Sequence, residues 1–326
     1  MKLRILIKEG EYRLAKAGVM DAKIDAEELF CFMKKWDRVV LFLKKEEEVD
    51  QETEEEYFRL IDRRAERIPL QHITGVQEFM GYEFKVNGDV LIPRLDTETL
   101  VTDAAKTIME EQKKYGAEHE SKSFLGLFKS APDYEVLDLC CGSGAIGISL
   151  ALTCGNVAVT ATDISDAAIS LAVDNAKSLR AEVEFVKGDM FDALTTGDRI
   201  TDTRGVRVSE RKGKGKGAHT QKFNMIVTNP PYIKTNSIAM LQEEVKKHEP
   251  LMALDGGRDG LDYYRIIVDK AADFLKDEGW LMMEIGYDQG EVLRKMIMDS
   301  DKYTVAEILR DVPGKDRVIK CRRKKD

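Results

Sequence analysis

Glu135-Val136-Leu137-Asp138-Leu139-Cys140-Cys141-Gly142-Ser143-Gly144-Ala145-Ile146-Gly147 sets the register of everything around it. Its first six residues read as a strand, and the remainder as a tight turn into a helix ending near Leu152. Working outward, Val157 to Thr162 reads as a second strand, ending at Asp163. Ser165 to Leu179 reads as a helix, and Val183-Glu184-Phe185-Val186 as a third strand running into Gly188-Asp189-Met190-Phe191. Phe223-Asn224-Met225-Ile226-Val227 is the fourth and Trp280 to Ile285 the fifth, followed by a helix around Val292 to Met298. Tyr303 to Leu309 and Arg317 to Lys320 form a closing pair. Strands separated by helices predict an α/β fold, a seven-stranded doubly wound sheet.

Two of these strand ends carry chemistry. A strand that runs through a glycine-rich turn into a helix binds nucleotide-like ligands, because the backbone can approach the ligand closely. An acidic residue at the tip of the next strand then takes ribose hydroxyls. Asp163, 25 positions after Asp138, is that residue. Enzymes that use NAD employ the same device, but here the spacing is Asp-x-x-x-Gly-x-Gly rather than Gly-x-Gly-x-x-Gly. The fourth strand ends in Thr228-Asn229-Pro230-Pro231-Tyr232, which has no task in hydride transfer. Each proline ring locks φ and removes a donor. The stiff turn holds the Asn229 side chain and the Pro230 carbonyl beside the Tyr232 ring, a cradle for a planar group bearing an NH2. Taken alone, the same residues also make an ordinary strand-ending turn.

A chain of 326 residues predicts two domains. With 43% hydrophobic and 34% charged residues it has ample core and a solvated surface. No apolar run approaches the ~18 residues of a membrane span. The apolar start, Met1 to Ile7, meets Lys8 and Glu9 too soon for a signal peptide. Five cysteines without a Cys-x-x-Cys pair argue against disulfides and a zinc site, and for a reducing cytoplasm. The net charge of −8 argues against a general nucleic-acid binder.

Residues 1–75 read as a small helical bundle without catalytic residues. Leu3, Leu6 and Ile7 open one apolar stripe; Asp25 and Glu28 suggest a capping box, and Leu29, Phe32, Met33 and Trp36 follow on one helical face. Glu46 to Glu56 is a solvated acidic run leading to a helix with Tyr57, Leu60 and Ile61 on one face. Residues 76–95 read as a β-hairpin linker with Asn87-Gly88 as its turn. Asp96 or Thr97 would cap the next helix, with a site-facing role open to Arg94. Residues 112–132 lack periodicity and read as a surface insertion. Arg199 to Lys222, with eight Lys/Arg against two acids, reads as a flexible basic loop.

Pro69-Leu70-Gln71-His72-Ile73-Thr74-Gly75, Glu78-Phe79-Met80-Gly81, Ile92 to Glu98, Asp138 to Gly147, Asn229 to Tyr232, Glu249 to Leu254 and Asp311 to Val318 together resemble a known family. They resemble the class I S-adenosylmethionine-dependent methyltransferases, and more narrowly the HemK-type glutamine methyltransferases of peptide-chain release factors. Cys140 stands where that family usually has a first glycine, Leu95 replaces a common proline, and the basic loop is longer than usual.

The resemblance implies a Rossmann-like methyltransferase domain over 96–326, a substrate-recognition bundle over 1–75 and S-adenosyl-L-methionine as cofactor, with no metal. Cys140, Cys141, Gly142, Ser143 and Gly144 would wrap its methionine part and Asp163 its ribose. Asp189 and Met190 would flank the adenine, although Met190 also reads as plain core. Asn229, shared by cofactor and substrate, would act with the Pro230 carbonyl to accept the N–H groups of a glutamine amide, with Pro231 and Tyr232 completing the substrate wall. The implied partner is a class 1 release factor, methylated on the glutamine of Gly-Gly-Gln, with nucleic-acid contact only through the basic loop. Alternatives are a ribosomal-protein glutamine, a nucleic-acid exocyclic amine, or a non-catalytic RNA-binding assembly factor.

Overall fold

The computed structural model describes residues 1–119, 134–196, 198–200 and 221–325. These fall into two compact units. The first gathers Met1–Val76, Val86–Gly88 and Met240–Glu249. Its helices Leu3–Lys16, Ala22–Lys34, Arg38–Leu43, Gln51–Ala65 and Leu70–Thr74 enclose Leu6, Leu14, Ala26, Leu29, Phe30, Tyr57 and Ile61. The stripe opened by Leu3, Leu6 and Ile7 is buried as its spacing requires.

The second helix departs from its reading. Its N-cap is Asp21, so Asp25 and Glu28 form no capping box. Asp25 instead lies inside the helix, buried, where its Oδ2 accepts from Arg64 Nε at 2.7 Å. Phe32 is exposed, and a left-handed Lys35 (φ 53°) ends the helix before Trp36. Further along, Asp50, inside the acidic run, accepts from Thr53 N at 2.8 Å and caps Gln51–Ala65, so the helix begins within the run.

Two short strands, β1 (Val76–Phe79) and β2 (Tyr82–Lys85), form the hairpin. Its turn is Met80-Gly81, with φ of 54° and 75°, not Asn87-Gly88. Positive φ at both central positions is what a two-residue type I′ hairpin turn needs. The buried rings of Phe79 and Phe84 pack edge to face across it, 6.0 Å apart.

The second unit holds the large sheet. Its strands are β3 (Tyr134–Leu139), β4 (Val157–Asp163), β5 (Val183–Lys187), β6 (Asp198–Ile200), β7 (Phe223–Thr228), β8 (Leu275–Glu284), β9 (Glu307–Arg310) and β10 (Asp316–Arg322). The order is β6-β5-β4-β3-β7-β8-β10-β9. Seven of these are the anticipated strands, and the short antiparallel β6 extends one edge. β5, β4, β3, β7 and β8 run parallel, and β10 is antiparallel to both β8 and β9.

Helices Glu98–His119, Ala145–Thr153 and Asp166–Leu179 contribute to one apolar cluster, and Asp262–Phe274 and Gly290–Asp299 to another, so the sheet is covered on both faces. Asp262–Phe274 was not anticipated; Tyr264, Ile267, Val268 and Ala271 form its buried face. Glu98–His119 continues through the start of the expected insertion at 112, while 120–132 lies outside the described residues, as does most of the basic loop.

Register places the site. Leu139 is paired with Thr162 on one side and Thr228 on the other. The carboxyl ends of β3, β4 and β7 therefore finish level. β3 is where the chain order of the sheet reverses, the crevice in which open α/β sheets bind ligands.

Candidate active site

At the end of β3, Asp138 is fully buried, and its Oδ2 accepts from Gly147 N at 2.8 Å. Burial pushes its carboxyl up to about 7, against the Gly147 bond and helped by the charge of Asp163. The chain then turns through Cys140, which adopts a left-handed φ of 63° that glycine would take without strain. Cys141 N donates to Thr162 O at 2.9 Å, tying the turn to β4.

Asp163 closes this loop from the neighbouring strand. Its Oδ2 accepts from Gly142 N and its Oδ1 from Ser165 N, each at 2.9 Å. Burial raises its pKa against these backbone donors. Asn175, buried beneath, donates to Ser143 O at 3.0 Å and exchanges two bonds with the Lys85 backbone, so the loop is also pinned to the end of β2.

At the end of β7, Thr228 Oγ1 donates to Leu139 O at 2.7 Å. Asn229 Nδ2 donates to Thr97 Oγ1 at 3.4 Å. The following turn is fixed from behind: Gln289 Nε2 donates to Tyr232 O at 3.1 Å, and the Tyr232 hydroxyl donates to Glu284 Oε1 at 3.1 Å. Burial, with Glu284 next in order, raises the pKa of that phenol.

These elements surround a cavity of about 580 Å³, within the range of small-ligand sites. Cys140, Cys141, Gly142 and Ser143 line it, as do Asp163, Asp189, Met190, Asn229 and Pro231. Met190 serves both readings, since it is buried in the core cluster as well. Three anticipated residues are absent from the wall. Gly144 faces the helix behind the loop, where a Cβ would stand 2.8 Å from Ile148 Cδ1 and 3.1 Å from Ala172 Cβ. Pro230 is buried, and Tyr232 spends its hydroxyl on Glu284.

Other wall residues had been given no site role. Leu91, Pro93 and Thr97 enter from the segment after the hairpin, Met252 and Asp255 from the segment before the unanticipated helix, and Tyr263 from that helix's first turn. Asp96 and Thr97 lie in a short tight turn, Leu95–Thr97, that runs directly into the helix; Asp96 pairs with Arg317 at 2.9 Å, and Thr97 accepts from Asn229. Arg94 is not on the wall. No described helix is long and apolar enough to cross a membrane.

Residues 6–75 match the sequence model of the PrmC N-terminal domain, and residues 116–203 that of the methyltransferase small domain. Over its whole length the chain is similar to proteins named release factor glutamine methyltransferase. It is 34% identical to the one from Clostridium botulinum, covering 99% of this chain and 100% of that relative. It is 35% identical to the one from Moorella thermoacetica, covering 100% of both. Among solved structures, the release factor-specific protein-(glutamine-N5) methyltransferase from Alicyclobacillus acidocaldarius aligns at 24% identity and a TM-score of 0.37, over 74% of this chain and 100% of that one. The full-length relatives settle the matter of kinship: this chain belongs to the release factor glutamine methyltransferase family.

Proposed function

We propose that this protein transfers a methyl group from S-adenosylmethionine to the side-chain amide nitrogen of the glutamine in the Gly-Gly-Gln motif of class 1 release factors. The observation that carries the reading is the orientation of Asn229. It lines the cavity at the end of β7 with its amide nitrogen turned to Thr97, which leaves Oδ1 as the acceptor for an incoming N–H.

The cavity residues suit the cofactor. Asp163, on the wall at the end of β4, is placed to accept ribose hydroxyls, and Met190 and Ile164 offer apolar surface to an adenine beside Asp189. The glycine-bearing turn from Cys140 to Ser143 gives a backbone wall for the amino-acid end. When bound, S-adenosylmethionine supplies an electrophilic methyl group on a sulfonium.

A carboxamide nitrogen is a poor nucleophile because its lone pair is delocalised into the carbonyl. Asn229 Oδ1 would accept one of its protons and aim the nitrogen's electron density at the methyl group. Holding reactants in such an attack geometry supplies several kcal/mol. As the new N–C bond forms, the sulfonium–methyl bond would break and leave its electron pair on sulfur as a neutral thioether; the methylated nitrogen becomes acidic and loses its proton to water, so the chain needs no strong base. Residues 1–75 would recognise the release factor, 76–95 would link, and 96–326 would carry the chemistry, in the cytoplasm where release factors work.

The test is transfer of labelled methyl from S-adenosylmethionine to purified release factor, ribosomal protein and DNA side by side. Label is expected on release factor alone and is lost when its motif glutamine is replaced. Label confined to DNA or ribosomal protein overturns the substrate.

A further inference from the structure

Behind the Asn229–Tyr232 turn lies a carboxylate that the chemistry above does not use. Glu284 ends β8, the strand beside β7, and is 1% exposed. Oε1 accepts the Tyr232 hydroxyl at 3.1 Å, while Oε2 has no hydrogen-bond partner among the described residues. Its backbone carbonyl is taken by the Tyr264 hydroxyl at 2.7 Å, which fixes the strand end. Thr97 stands close enough to influence the carboxylate, although no bond of ordinary geometry reaches Oε2. Burial raises the pKa of Glu284, while Thr97 and then the nearby Arg317 guanidinium, held by Asp311 at 3.0 Å and Asp96 at 2.9 Å, pull back toward the charged form.

An ionised carboxylate only accepts hydrogen bonds, whereas a hydroxyl both donates and accepts. A buried acceptor at the end of a chain of hydroxyls therefore dictates which way each proton points. Thr97 Oγ1 already accepts from Asn229 Nδ2, so its own proton is available to Glu284. Turning that proton to Oε2 would satisfy the orphan oxygen and commit a Thr97 lone pair to Asn229. The Asn229 amide would then be held with its oxygen toward the cavity.

We propose that Glu284 is a positioning residue for methyl transfer, which through Thr97 locks the Asn229 amide in its acceptor orientation and through Tyr232 fixes the turn that carries it. The inference rests on the role given to Asn229 above. The partners lie 52 to 187 positions from Glu284 in sequence: Tyr232 is brought near by the pairing of β7 with β8, and Thr97 by the turn Leu95–Thr97.

The experiment compares Glu284→Gln, Thr97→Val, Thr97→Ser, their Glu284→Gln/Thr97→Val combination and Asn229→Ala in the full chain. Single-turnover methyl transfer to a release factor, its KM, cofactor affinity by calorimetry and melting temperature are measured for each. Glu284→Gln keeps the shape but adds a donor, so Thr97 loses its fixed polarity. The rate is expected to fall about 100-fold, as for a small misplacement of reacting groups, with KM, cofactor affinity and melting temperature little changed. Thr97→Val should fall comparably, the double variant no further, and Thr97→Ser should recover most of the rate.

A wild-type rate in folded Glu284→Gln, or additive losses in the double variant, overturns the inference. Should Glu284→Gln not fold, equal rates for Thr97→Val and Thr97→Ser overturn it instead. Asn229→Ala separates the two levels: if it is inactive while Glu284→Gln is normal, only the positioning role fails. If Asn229→Ala itself turns over normally, the reading beneath fails too.

Discussion

The two units each bury a network of charge, and they treat it differently. In the helical bundle Arg64 is shared: Nε donates to Asp25 at 2.7 Å, Nη2 to Glu244 at 3.0 Å and Nη1 to Ile68 O at 3.3 Å. Arg67 adds a second cation on Glu244, at 2.7 Å from Nε. Burial works against the Glu244 charge, but the Arg67 and Arg64 bonds outweigh it and hold its carboxyl down to about 2. In the sheet unit, one oxygen of Asp138 and one of Glu284 are buried with no hydrogen-bond partner. Both carboxylates have raised pKa values because burial wins. The Arg64 network of the bundle is compensated, whereas Asp138 and Glu284 leave under-compensated acceptors at the ends of β3 and β8, where buried polar groups left unsatisfied call for an explanation.

Breaking the compensated network should have the largest effect. Removing one partner of a buried ion pair leaves the others uncompensated, at about 3–5 kcal/mol. Arg64→Ala is expected to lower stability by about that amount in denaturant unfolding, since it strands Asp25 and removes one cation from Glu244. Asp25 alone has a carboxyl raised by burial against the pull of Arg64, so Asp25→Asn should be milder. Equal stability of Arg64→Ala and the native protein would show that the bundle network is not a structural one.

The under-compensated side makes a prediction of opposite form. The folded pKa of Asp138, about 7, lies above its ordinary value of 3.8. Its contribution to stability is thus fully present below about pH 3.8 and is lost as pH rises through about 7, where the native state must hold a buried charge. A shift of this size corresponds to roughly 4 kcal/mol across that window. Asp138→Asn keeps an acceptor for Gly147 N and cannot ionise. Its stability should fall less steeply than that of the native protein between pH 5 and 8, and parallel stability–pH curves would contradict the assignment.

Next in size comes the turn itself. Asn229→Ala removes the proposed acceptor while leaving Thr228 and the strand intact, so turnover should fall by about 100-fold or more. Asn229→Asp keeps the acceptor but loses the N–H donor to Thr97, and partial activity there would show that the acceptor half matters more. Melting temperature and cofactor affinity, measured alongside, should move little for either.

How much of this was legible follows from what each residue depends on. Asp163, Asn229 and the Cys140–Ser143 turn were readable because strand, turn and helix follow one another within a few residues. Thr97 was not, since its meaning comes from Asn229, 132 positions away. Asp25 looked like a cap because local sequence does not show Arg64, 39 positions on. The Asn87-Gly88 signal lost to Met80-Gly81, where pairing of Phe79 and Phe84 decides the register. Helix Asp262–Phe274 carried its buried face openly, but Asp262, Arg265, Asp269 and Lys270 along the same segment masked the stripe.

Asp163 sets the smallest and most discriminating test, because it belongs to both kinds of network. Both its oxygens are engaged by backbone donors, as a scaffolding carboxylate would be, yet it lines the cavity, as a ligand-binding one would. Asp163→Ala removes both functions, so loss of cofactor affinity alone, expected at about tenfold or more, cannot separate them. A cofactor analogue lacking a ribose hydroxyl can. If Asp163 accepts from the ribose, the native protein should favour S-adenosylmethionine over its 2′-deoxy analogue by about tenfold, and Asp163→Ala should abolish that preference. If Asp163 only closes the loop, the variant should weaken both ligands equally and keep whatever preference the native protein shows. Calorimetric titration of the two ligands against the two proteins decides between them. An undiminished preference in folded Asp163→Ala would assign the carboxylate to the scaffold, alongside Asp25, and remove it from the ribose.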